Sequence, residues 1–402
     1  MIRKYRWTPL AIVALALAAG PAAAQKKYGP GVSDSEIKIG NTAPYSGAAS
    51  AYSAAAVSEL AYFAMLNAKG GVNGRKITMV SLDDGYSPPK TVEQTRRLVE
   101  SDEVFLMLNP IGTPGNAGIY KYLNQREVPH LFVGSGASRF NDPQHFPWTM
   151  SWTPHYVSEG KIYAQYILSV KPEARIAILS QDDDLGKDYV RGLKEGLGER
   201  AAKIIVEQAT YEVTDPTVDQ QIVSAQASGA DVFFNVATPK FSAQAIRHAY
   251  DIGWHPLQFV VSIGSSIAGA IRPAGFERAQ GIISASYQKD PHDPQWQDDP
   301  GFKAWDAWMD EYNPNVDKSD YYAVYGYNIA QAMAEVLRRC GDDLTRENVM
   351  TVASHLDMTL PMLLPGIRVT TSPTDLRALK QMRLVRFEGA RWVLFGDVFE
   401  GD

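Results

Sequence analysis

The residue types that could do chemistry are sparse in this sequence and lack the spacing that catalysis or metal binding needs. Its seven histidines are scattered, without an H-E-x-x-H motif or a histidine–cysteine ligand spacing. Residues 134–138 read G-S-G-A-S, which is not the G-x-S-x-G order of a serine nucleophile turn. Arg139 stands where a dinucleotide-binding loop needs its third glycine. We therefore predict a protein that is not an enzyme and uses no cofactor and no metal, with an exported serine hydrolase as the alternative.

The segment 134–138 is better suited to hold an anionic group. It follows a predicted strand at residues 129–133, and ligands of parallel α/β sheets bind at the carboxyl ends of strands. Its glycines let the backbone approach a ligand closely, and its hydroxyl and N–H groups donate to anions. A second such loop, N-P-I-G-T-P-G at 109–115, follows another predicted strand. We expect the two loops to converge on one ligand group, although simple glycine-rich turns would share this composition.

Both loops belong to a regular alternation of short apolar segments with helical patterns. Strands are predicted at residues 37–39, 76–82, 104–108, 129–133, 175–179, 204–208, 232–236 and 258–261. Helices are predicted at residues 51–67, 88–100, 116–126, 156–169, 185–196, 219–228, 241–250, 302–312, 321–340 and 345–353. The chain ends in a hairpin-like segment around Glu388-Gly389. This order predicts mostly parallel sheets, covered by helices and divided into two units.

Length and composition favour a large folded protein and exclude a nucleic-acid partner. The 402 residues suit two large lobes. The formal net charge of −6 at pH 7, without a block rich in lysine or arginine, argues against binding to a phosphate backbone. The single cysteine, Cys340, excludes an intrachain disulfide, and its apolar surroundings in the sequence predict burial.

The first residues are typical of a secretory signal peptide. Three basic residues within the first six precede an apolar run at 8–20, which is too short to span a bilayer. Ala22-Ala23-Ala24 then offers a cleavage site of small residues. We predict that residues 1–24 are removed by cleavage after Ala24 and that the mature protein lies in the periplasm. A short membrane anchor is the alternative.

Several motifs occur in an order that is typical of one known family. I-K-I-G at 37–40 and P-Y-S-G at 44–47 precede the most specific stretch, N-A-K-G-G-V-N-G-R at 67–75, and Asp83-Asp84 follows it. Together these motifs resemble the branched-chain amino acid type of periplasmic binding protein, the leucine/isoleucine/valine-binding family. The resemblance covers nearly all of the chain after the predicted signal peptide.

The resemblance implies an α/β fold with two doubly wound parallel-sheet lobes joined by a three-crossover hinge. We expect lobe 1 to comprise residues 34–155 plus 287–360, and lobe 2 to comprise residues 156–286 plus 361–402. The resemblance also implies a monomer that captures a small organic ligand between closing lobes. This monomer is expected to dock on the membrane permease of an ABC importer. A ligand-sensing module of the same fold is the alternative.

Carried to this sequence, the resemblance implies which residues meet the ligand. Tyr52 falls where the family has a ligand-contacting tyrosine. Thr113 and the loop 135–138 fall where the family holds the carboxylate of its ligand. Two positions depart from the family. Ile263 replaces an acidic residue that pairs with an α-ammonium group, and Leu185 replaces an aromatic contact.

The departure at Ile263 makes a carboxylate without an α-amine, such as an aromatic acid, the preferred ligand. An unpaired ammonium in a closed site would carry a large desolvation cost. Tyr45, Tyr86 and Trp152 lie near the predicted loops and could form an apolar slot. A branched-chain or other amino acid is the alternative, with an aspartate of the run 182–184 replacing the lost charge. The predicted ligand-binding residues are Tyr45, Tyr52, Tyr86, Thr113, Ser135, Gly136, Ala137, Ser138, Trp152, Asp184, Leu185, Thr238 and Ile263.

Overall fold

Strands and helices alternate along the computed structural model, which describes residue 2 and residues 26–401. The strands are β1 (Lys27–Tyr28), β2 (Glu36–Ala43), β3 (Lys76–Asp83), β4 (Met107–Leu108), β5 (His130–Val133), β6 (Thr149–Ser151), β7 (Ile176–Gln181), β8 (Ile205–Tyr211), β9 (Val232–Val236), β10 (Leu257–Val260), β11 (Ile283–Ser286), β12 (Asp343–Leu344), β13 (Asp357–Met358), β14 (Val369–Thr370), β15 (Gln381–Glu388) and β16 (Arg391–Glu400). The helices are α1 (Ser53–Ala68), α2 (Pro88–Glu100), α3 (Thr113–Gln125), α4 (Tyr156–Val170), α5 (Asp184–Leu197), α6 (Ala201–Ile204), α7 (Asp219–Ala227), α8 (Pro239–Asp251), α9 (Arg272–Ala274), α10 (Pro300–Tyr312), α11 (Tyr321–Cys340) and α12 (Arg346–Ala353). Apart from residue 2, the predicted signal peptide lies outside the described residues.

The first sheet is parallel and has the strand order β3-β2-β4-β5-β6. The glycine-rich loops at 109–115 and 134–138 follow β4 and β5, so both lie at the carboxyl edge of this sheet. Helix α11, from late in the chain, packs against α1. The first sheet and the helices that cover it form what we call the first lobe.

The second sheet has the strand order β16-β15-β11-β10-β9-β7-β8 and belongs to the second lobe. Its strands from β7 to β11 are parallel, and every residue of β7 and β9 is buried, as expected for strands covered by helices on both faces. β15 and β16 are antiparallel, with Glu388 opposite Arg391. The predicted terminal hairpin is therefore confirmed.

The chain passes between the two sheets three times: from β6 into α4, from β11 toward α10, and again before β15. This topology confirms the predicted fold class of two doubly wound α/β lobes with a three-crossover hinge. The lobe boundaries at residues 34–155 plus 287–360 and 156–286 plus 361–402 stay a prediction.

The predicted strand at 104–108 is wrong for its first three residues, and only Met107–Leu108 forms β4. The Phe105 N–H donates to the Lys38 carbonyl and the Gly40 N–H donates to the Leu106 carbonyl, so the segment still pairs with β2 but without a regular ladder. Helix α3 begins at Thr113 rather than at Asn116, because a proline in the first turn needs no hydrogen-bond partner for its nitrogen. The short strands β6 and β11 were not predicted.

Two further sequence features have a plain structural counterpart. Cys340 is a buried free thiol at the end of α11, and burial raises its pKa to about 12. Among the helices of the described ranges, none has both the length and the apolar composition that a membrane crossing requires.

Close approach of α1 and α11 depends on a glycine. A Cβ atom placed on Gly326 would lie 2.1 Å from the carbonyl oxygen of Ala55, far closer than atoms in contact allow. This close packing sets the position of α11, whose first turns carry tyrosines at the region between the lobes.

We predict that Gly326→Ala forces α1 and α11 apart and lowers the free energy of unfolding by about 1–3 kcal/mol, the usual cost of overpacking. Urea unfolding measures this change. Gly118→Ala in α3 is the control, because its nearest neighbour is a side-chain methyl group of Val92 at 3.1 Å, which can adjust. Equal stabilities of the two variants would contradict the proposed role of Gly326.

Candidate ligand-binding site

A cavity with about 420 Å³ of space not filled by atoms lies between the two lobes, partly open to solvent. We call it the cleft cavity. Its lining includes seven tyrosines in the part of the chain that the structure describes: Tyr52, Tyr86, Tyr156, Tyr287, Tyr321, Tyr322 and Tyr325. The other lining residues are Ile111, Gly112, Thr113, Gly134, Thr153, Leu185 and Ile263. Of these described lining residues, none carries a charge at neutral pH.

One end of the cleft cavity is rich in hydrogen-bond donors. Helix α3 starts there at Thr113, and the first N–H groups of a helix have no partner within it and lie at its positive end. The hydroxyls of Thr113 and Ser135 are 2.7 Å apart, which brings the two glycine-rich loops together as predicted. Gly112 has a φ of 108° and packs so tightly that a Cβ atom there would lie 2.5 Å from the ring of Tyr86. This end suits a carboxylate.

A buried carboxylate, Glu159 of α4, organises the wall on the side of the second lobe. It accepts four hydrogen bonds: from the N–H and hydroxyl of Ser262 at 2.7 and 2.8 Å, and from the hydroxyls of Tyr163 and Tyr189 at 2.7 and 2.8 Å. Burial raises the pKa of Glu159, and the donated bonds counter this shift. The ring of Tyr189 stacks on that of Tyr156 with centroids 4.6 Å apart. Glu159 therefore positions both the turn before Ile263 and the stacked rings of Tyr189 and Tyr156.

The two lobes also contact each other directly on one side of the cleft cavity. The hydroxyl of Tyr322, from the first lobe, donates to the carbonyl of Ile263, from the second, at 2.6 Å. The hydroxyl of Tyr52 donates to the same carbonyl at 3.4 Å. Nearby, the Ser266 hydroxyl donates to Asp320 at 3.1 Å, and burial raises the pKa of Asp320 to about 6.

A second set of direct contacts joins the lobes through other elements. The N–H of Ser138 donates to Asp188 of α5 at 2.6 Å, and Arg139 forms an ion pair with Asp184 at 2.8 Å. Because two separate sets of contacts bridge the lobes, the structure represents a closed arrangement.

Five of the predicted ligand-binding residues line the cleft cavity, namely Tyr52, Tyr86, Thr113, Leu185 and Ile263. Their contacts with a ligand stay a prediction. They come from both lobes, so a ligand among them would touch both.

The other predicted residues lie outside that lining. Ser135 is behind Thr113, and Gly136 and Ala137 lie beside it in the same loop, with Gly136 packed against Tyr156. Ser138 and Asp184 are engaged in the contacts between lobes. The last three have other partners: Tyr45 shares a hydrogen bond with Ser81, Trp152 packs on Phe132, and Thr238 donates its N–H to the hydroxyl of Tyr211.

Two of the three aspartates in the run 182–184 are already engaged. Asp183 accepts hydrogen bonds from the N–H groups of Leu185 and Gly186 at the start of α5 and from the Gln181 amide. Asp184 pairs with Arg139. These two carboxylates therefore have partners other than a ligand ammonium.

Sequence reasoning missed most of the tyrosines that line the cleft cavity. Tyr321, Tyr322 and Tyr325 lie in the first turns of α11, whose start is capped by Asp320. The segment Y-Y-A-V-Y was a visible signal, because it places aromatic rings at neighbouring positions of a helix start. Tyr156 and Tyr287, each at the beginning of a crossover between the lobes, had no comparable signal.

We predict that Tyr322→Phe shifts the free protein toward separated lobes. Loss of one hydrogen bond should lower the ratio of closed to open molecules about three- to tenfold. Small-angle X-ray scattering without ligand would show a larger radius of gyration. Tyr325→Phe is the matched control, because the hydroxyl of Tyr325 donates to Asn109 within the first lobe. Identical scattering of Tyr322→Phe and wild type would contradict this role.

We predict that Glu159→Gln lowers the free energy of unfolding by about 1–3 kcal/mol, since a glutamine amide places an N–H group among four donors. Urea denaturation measures the difference. Glu173→Gln is the control, because the side chain of Glu173 is 80% exposed and, among the described residues, meets only Lys203, at 3.5 Å. If both variants were as stable as wild type, Glu159 would not have the organising role that its contacts indicate.

Comparison with known proteins identifies the family. A family model described as periplasmic binding protein matches residues 36–391. A Leu/Ile/Val-binding protein homolog 7 from Brucella suis is 22% identical over 290 residues, covering 70% of this chain and 68% of that protein. The first curated relatives are matched over 45% to 68% of their own length.

Solved structures agree on the fold. A branched chain amino acid ABC transporter protein from Thermus thermophilus with bound valine has a TM-score of 0.81 and 16% identity, covering 92% of this chain and 98% of that one. A solute binding protein from R. palustris in complex with benzoate has a TM-score of 0.75 and 17% identity, covering 90% of this chain and 96% of that one. The chain therefore belongs to the periplasmic binding protein family and has the type I fold of its leucine/isoleucine/valine-binding members.

Proposed function

We propose that this protein captures a small carboxylate without an α-amine, with aromatic acids as the preferred class, and delivers it in the periplasm to the permease of an ABC importer. The observation that carries the proposal is the lining of the cleft cavity. It combines seven tyrosines and a donor-rich end with no charged side chain among the described residues. The role is capture and release, without catalysis.

The two ends of such a ligand find different surroundings. Its carboxylate fits the start of α3, where N–H groups and the hydroxyl of Thr113 can donate to it. Its ring fits among aromatic faces, including those of Tyr52 and Tyr86, whose centroids are 6.0 Å apart. Most of the affinity is expected from burial of the ring, and the polar end fixes its orientation.

An α-ammonium group would find no counter-charge on the described lining of the same cavity. The hydrophobic side chain of Ile263 lies on the lining, and the carboxylates of Asp183 and Asp184 have other partners. Leaving an ammonium without a hydrogen-bonded counter-charge in a closed site is costly. This difference favours an acid over the corresponding amino acid.

Closure of the two lobes would let the transporter distinguish protein with bound ligand from empty protein. A ligand that contacts both Thr113 of the first lobe and Leu185 of the second binds the closed arrangement better than the open one. The ligand therefore shifts the population toward the closed arrangement. The size of this shift is limited by the difference between its affinities for the two arrangements. A permease that recognises closed molecules would then accept loaded protein.

The names of related proteins favour branched-chain amino acids as the second candidate. The benzoate complex of the R. palustris protein shows that the same fold also serves an aromatic acid. Ligand class therefore depends on the lining of the cavity and not on the fold.

We predict that 3-phenylpropanoate stabilises the purified mature protein and that L-phenylalanine, which differs by its α-ammonium group, does not. Thermal-shift assays followed by calorimetry measure this. At a hundred dissociation constants a ligand adds about 2.7 kcal/mol of stability. The pair 4-methylpentanoate and L-leucine repeats the comparison with an aliphatic body. Binding of leucine without binding of either acid would overturn the ligand proposal and favour the second candidate.

We predict that Thr113→Val weakens binding of the acid about tenfold or more, because a hydrogen bond to a charged group is lost. Calorimetry measures the affinity, and an unchanged melting temperature excludes misfolding. Thr351→Val in α12 is the control, since Thr351 is exposed and, within the described part of the chain, its hydroxyl bonds only to the Glu347 carbonyl of the same helix. An affinity that Thr113→Val leaves unchanged would remove this hydroxyl from the proposed site.

A further inference from the structure

A second cavity lies at the hinge and is not used by the proposed function. It contains about 530 Å³ of space not filled by atoms, partly open to solvent, and we call it the hinge cavity. Its walls are the segment from β11 toward α10, the start of α11, and the hairpin of β15 and β16. Tyr321 separates it from the cleft cavity, since this residue lines both.

Most of the hinge cavity is apolar and aromatic. Trp296 and Trp392 contribute two indole rings, and each residue is only 8% exposed. Ile267, Val324 and Leu394 contribute aliphatic surface from three different elements. A ring of moderate size would be buried on several sides in this space.

Two buried polar atoms beside this surface have no hydrogen-bond partner among the described residues. The side-chain amide of Gln288 donates to the Tyr321 carbonyl at 2.7 Å, but its Oε1 atom has no donor. The indole N–H of Trp296 has no acceptor. Each buried group of this kind normally costs stability. A ligand that offers both a donor and an acceptor would relieve both groups.

The charges around the hinge cavity leave one carboxylate without a strong cationic partner. Lys289 pairs with Asp299 at 2.7 Å, and Arg391 pairs with Asp293 at 3.2 Å. Asp290 accepts hydrogen bonds from the N–H groups of two other residues, His292 and Trp392. Within the described ranges it has no ion pair with a lysine or arginine, and its contact with the His292 ring is at 3.7 Å. The side chain of Asp290 is 13% exposed.

We infer that the hinge cavity is a second binding site, which takes a small aromatic amine carrying a hydroxyl or carbonyl oxygen. The ammonium pairs with Asp290 and donates to Gln288, the ring lies against the indoles, and the oxygen accepts from Trp296. The Lys289 ammonium already lies over the ring of Trp296, 5.1 Å from its centroid, so the Trp392 ring is the indole that can attract the ligand's cation. The ligand is thus opposite in charge to the acid proposed for the cleft cavity.

Tyramine is the probe, and 4-ethylphenol is its partner without the amine. We expect tyramine to bind the mature protein in calorimetry and to shift the indole N–H signals of Trp296 and Trp392 in the NMR spectrum, while 4-ethylphenol binds at least tenfold more weakly. Asp290→Asn should weaken tyramine binding at least tenfold, because its amide oxygen still accepts from Trp392 but carries no charge. Absence of both heat and shifts at 10 mM tyramine, or equal binding of 4-ethylphenol, would overturn the inference.

A second variant and a cross-test separate this site from the cleft cavity. Leu394→Trp should fill the hinge cavity from a half-buried position on β16 and abolish tyramine binding, with folding checked by circular dichroism. Thr113→Val should leave tyramine binding unchanged, and Asp290→Asn should leave the affinity for 3-phenylpropanoate within threefold. Competition between tyramine and 3-phenylpropanoate would place both ligands in the cleft cavity and overturn the second site alone. Failure of the acid to bind would affect only the proposed function.

Discussion

The burial of one carboxylate constrains much of the region between the lobes. Glu159 lies almost fully out of water, and this is tolerable only because four donors surround it. Two of those donors belong to Ser262, so the turn that carries Ile263 has one position relative to α4. That turn presents the carbonyl to which Tyr322 donates across the cleft. A group inside the second lobe thereby determines where the first lobe can attach.

The absence of charge among the described residues of the cleft lining has a chemical consequence. Burial raises the pKa of Tyr52, Tyr86 and Tyr322 well above that of a free phenol, so these hydroxyls stay protonated across the physiological range. They act as neutral donors, and the start of α3 adds partial positive charge. The anion that we propose for this cavity would be stabilised there without a fixed cation, and its release would require no ion pair to be broken.

Much of the fold could be predicted from sequence, because ordered motifs and a regular strand–helix alternation are local signals. Ile263 and Leu185 were assigned to the site from the family resemblance, and both lie on the cavity lining. The aromatic residues at the start of α11 were visible in the sequence, but their place on the cavity lining could not be predicted. Their position depends on how α11 packs against α1 through Gly326, a contact between segments that are far apart in the chain.

Trp152 and Asp184 were predicted to contact the ligand, but neither lines the cleft cavity. Trp152 was chosen because it lies near the loops of the predicted site, and Asp184 because it could replace the missing acidic partner of an ammonium group. Trp152, just after β6, is fully buried and packs on Phe132 within the first lobe. Asp184 meets Arg139, a residue of the opposite lobe that no local pattern associates with it. Proximity in sequence identifies the loops of a site, but the direction of each side chain depends on tertiary contacts.

Two paired crossover segments of the hinge lie between the cleft cavity and the hinge cavity. The crossover after β11 pairs with the later one, since the Lys289 N–H donates to the Met362 carbonyl and the Leu364 N–H donates to the Tyr287 carbonyl. Because successive side chains of an extended segment point to opposite faces, Tyr287 lines the cleft cavity while Gln288 lines the hinge cavity. This paired segment therefore supplies one side chain to the wall of each cavity and separates the two spaces.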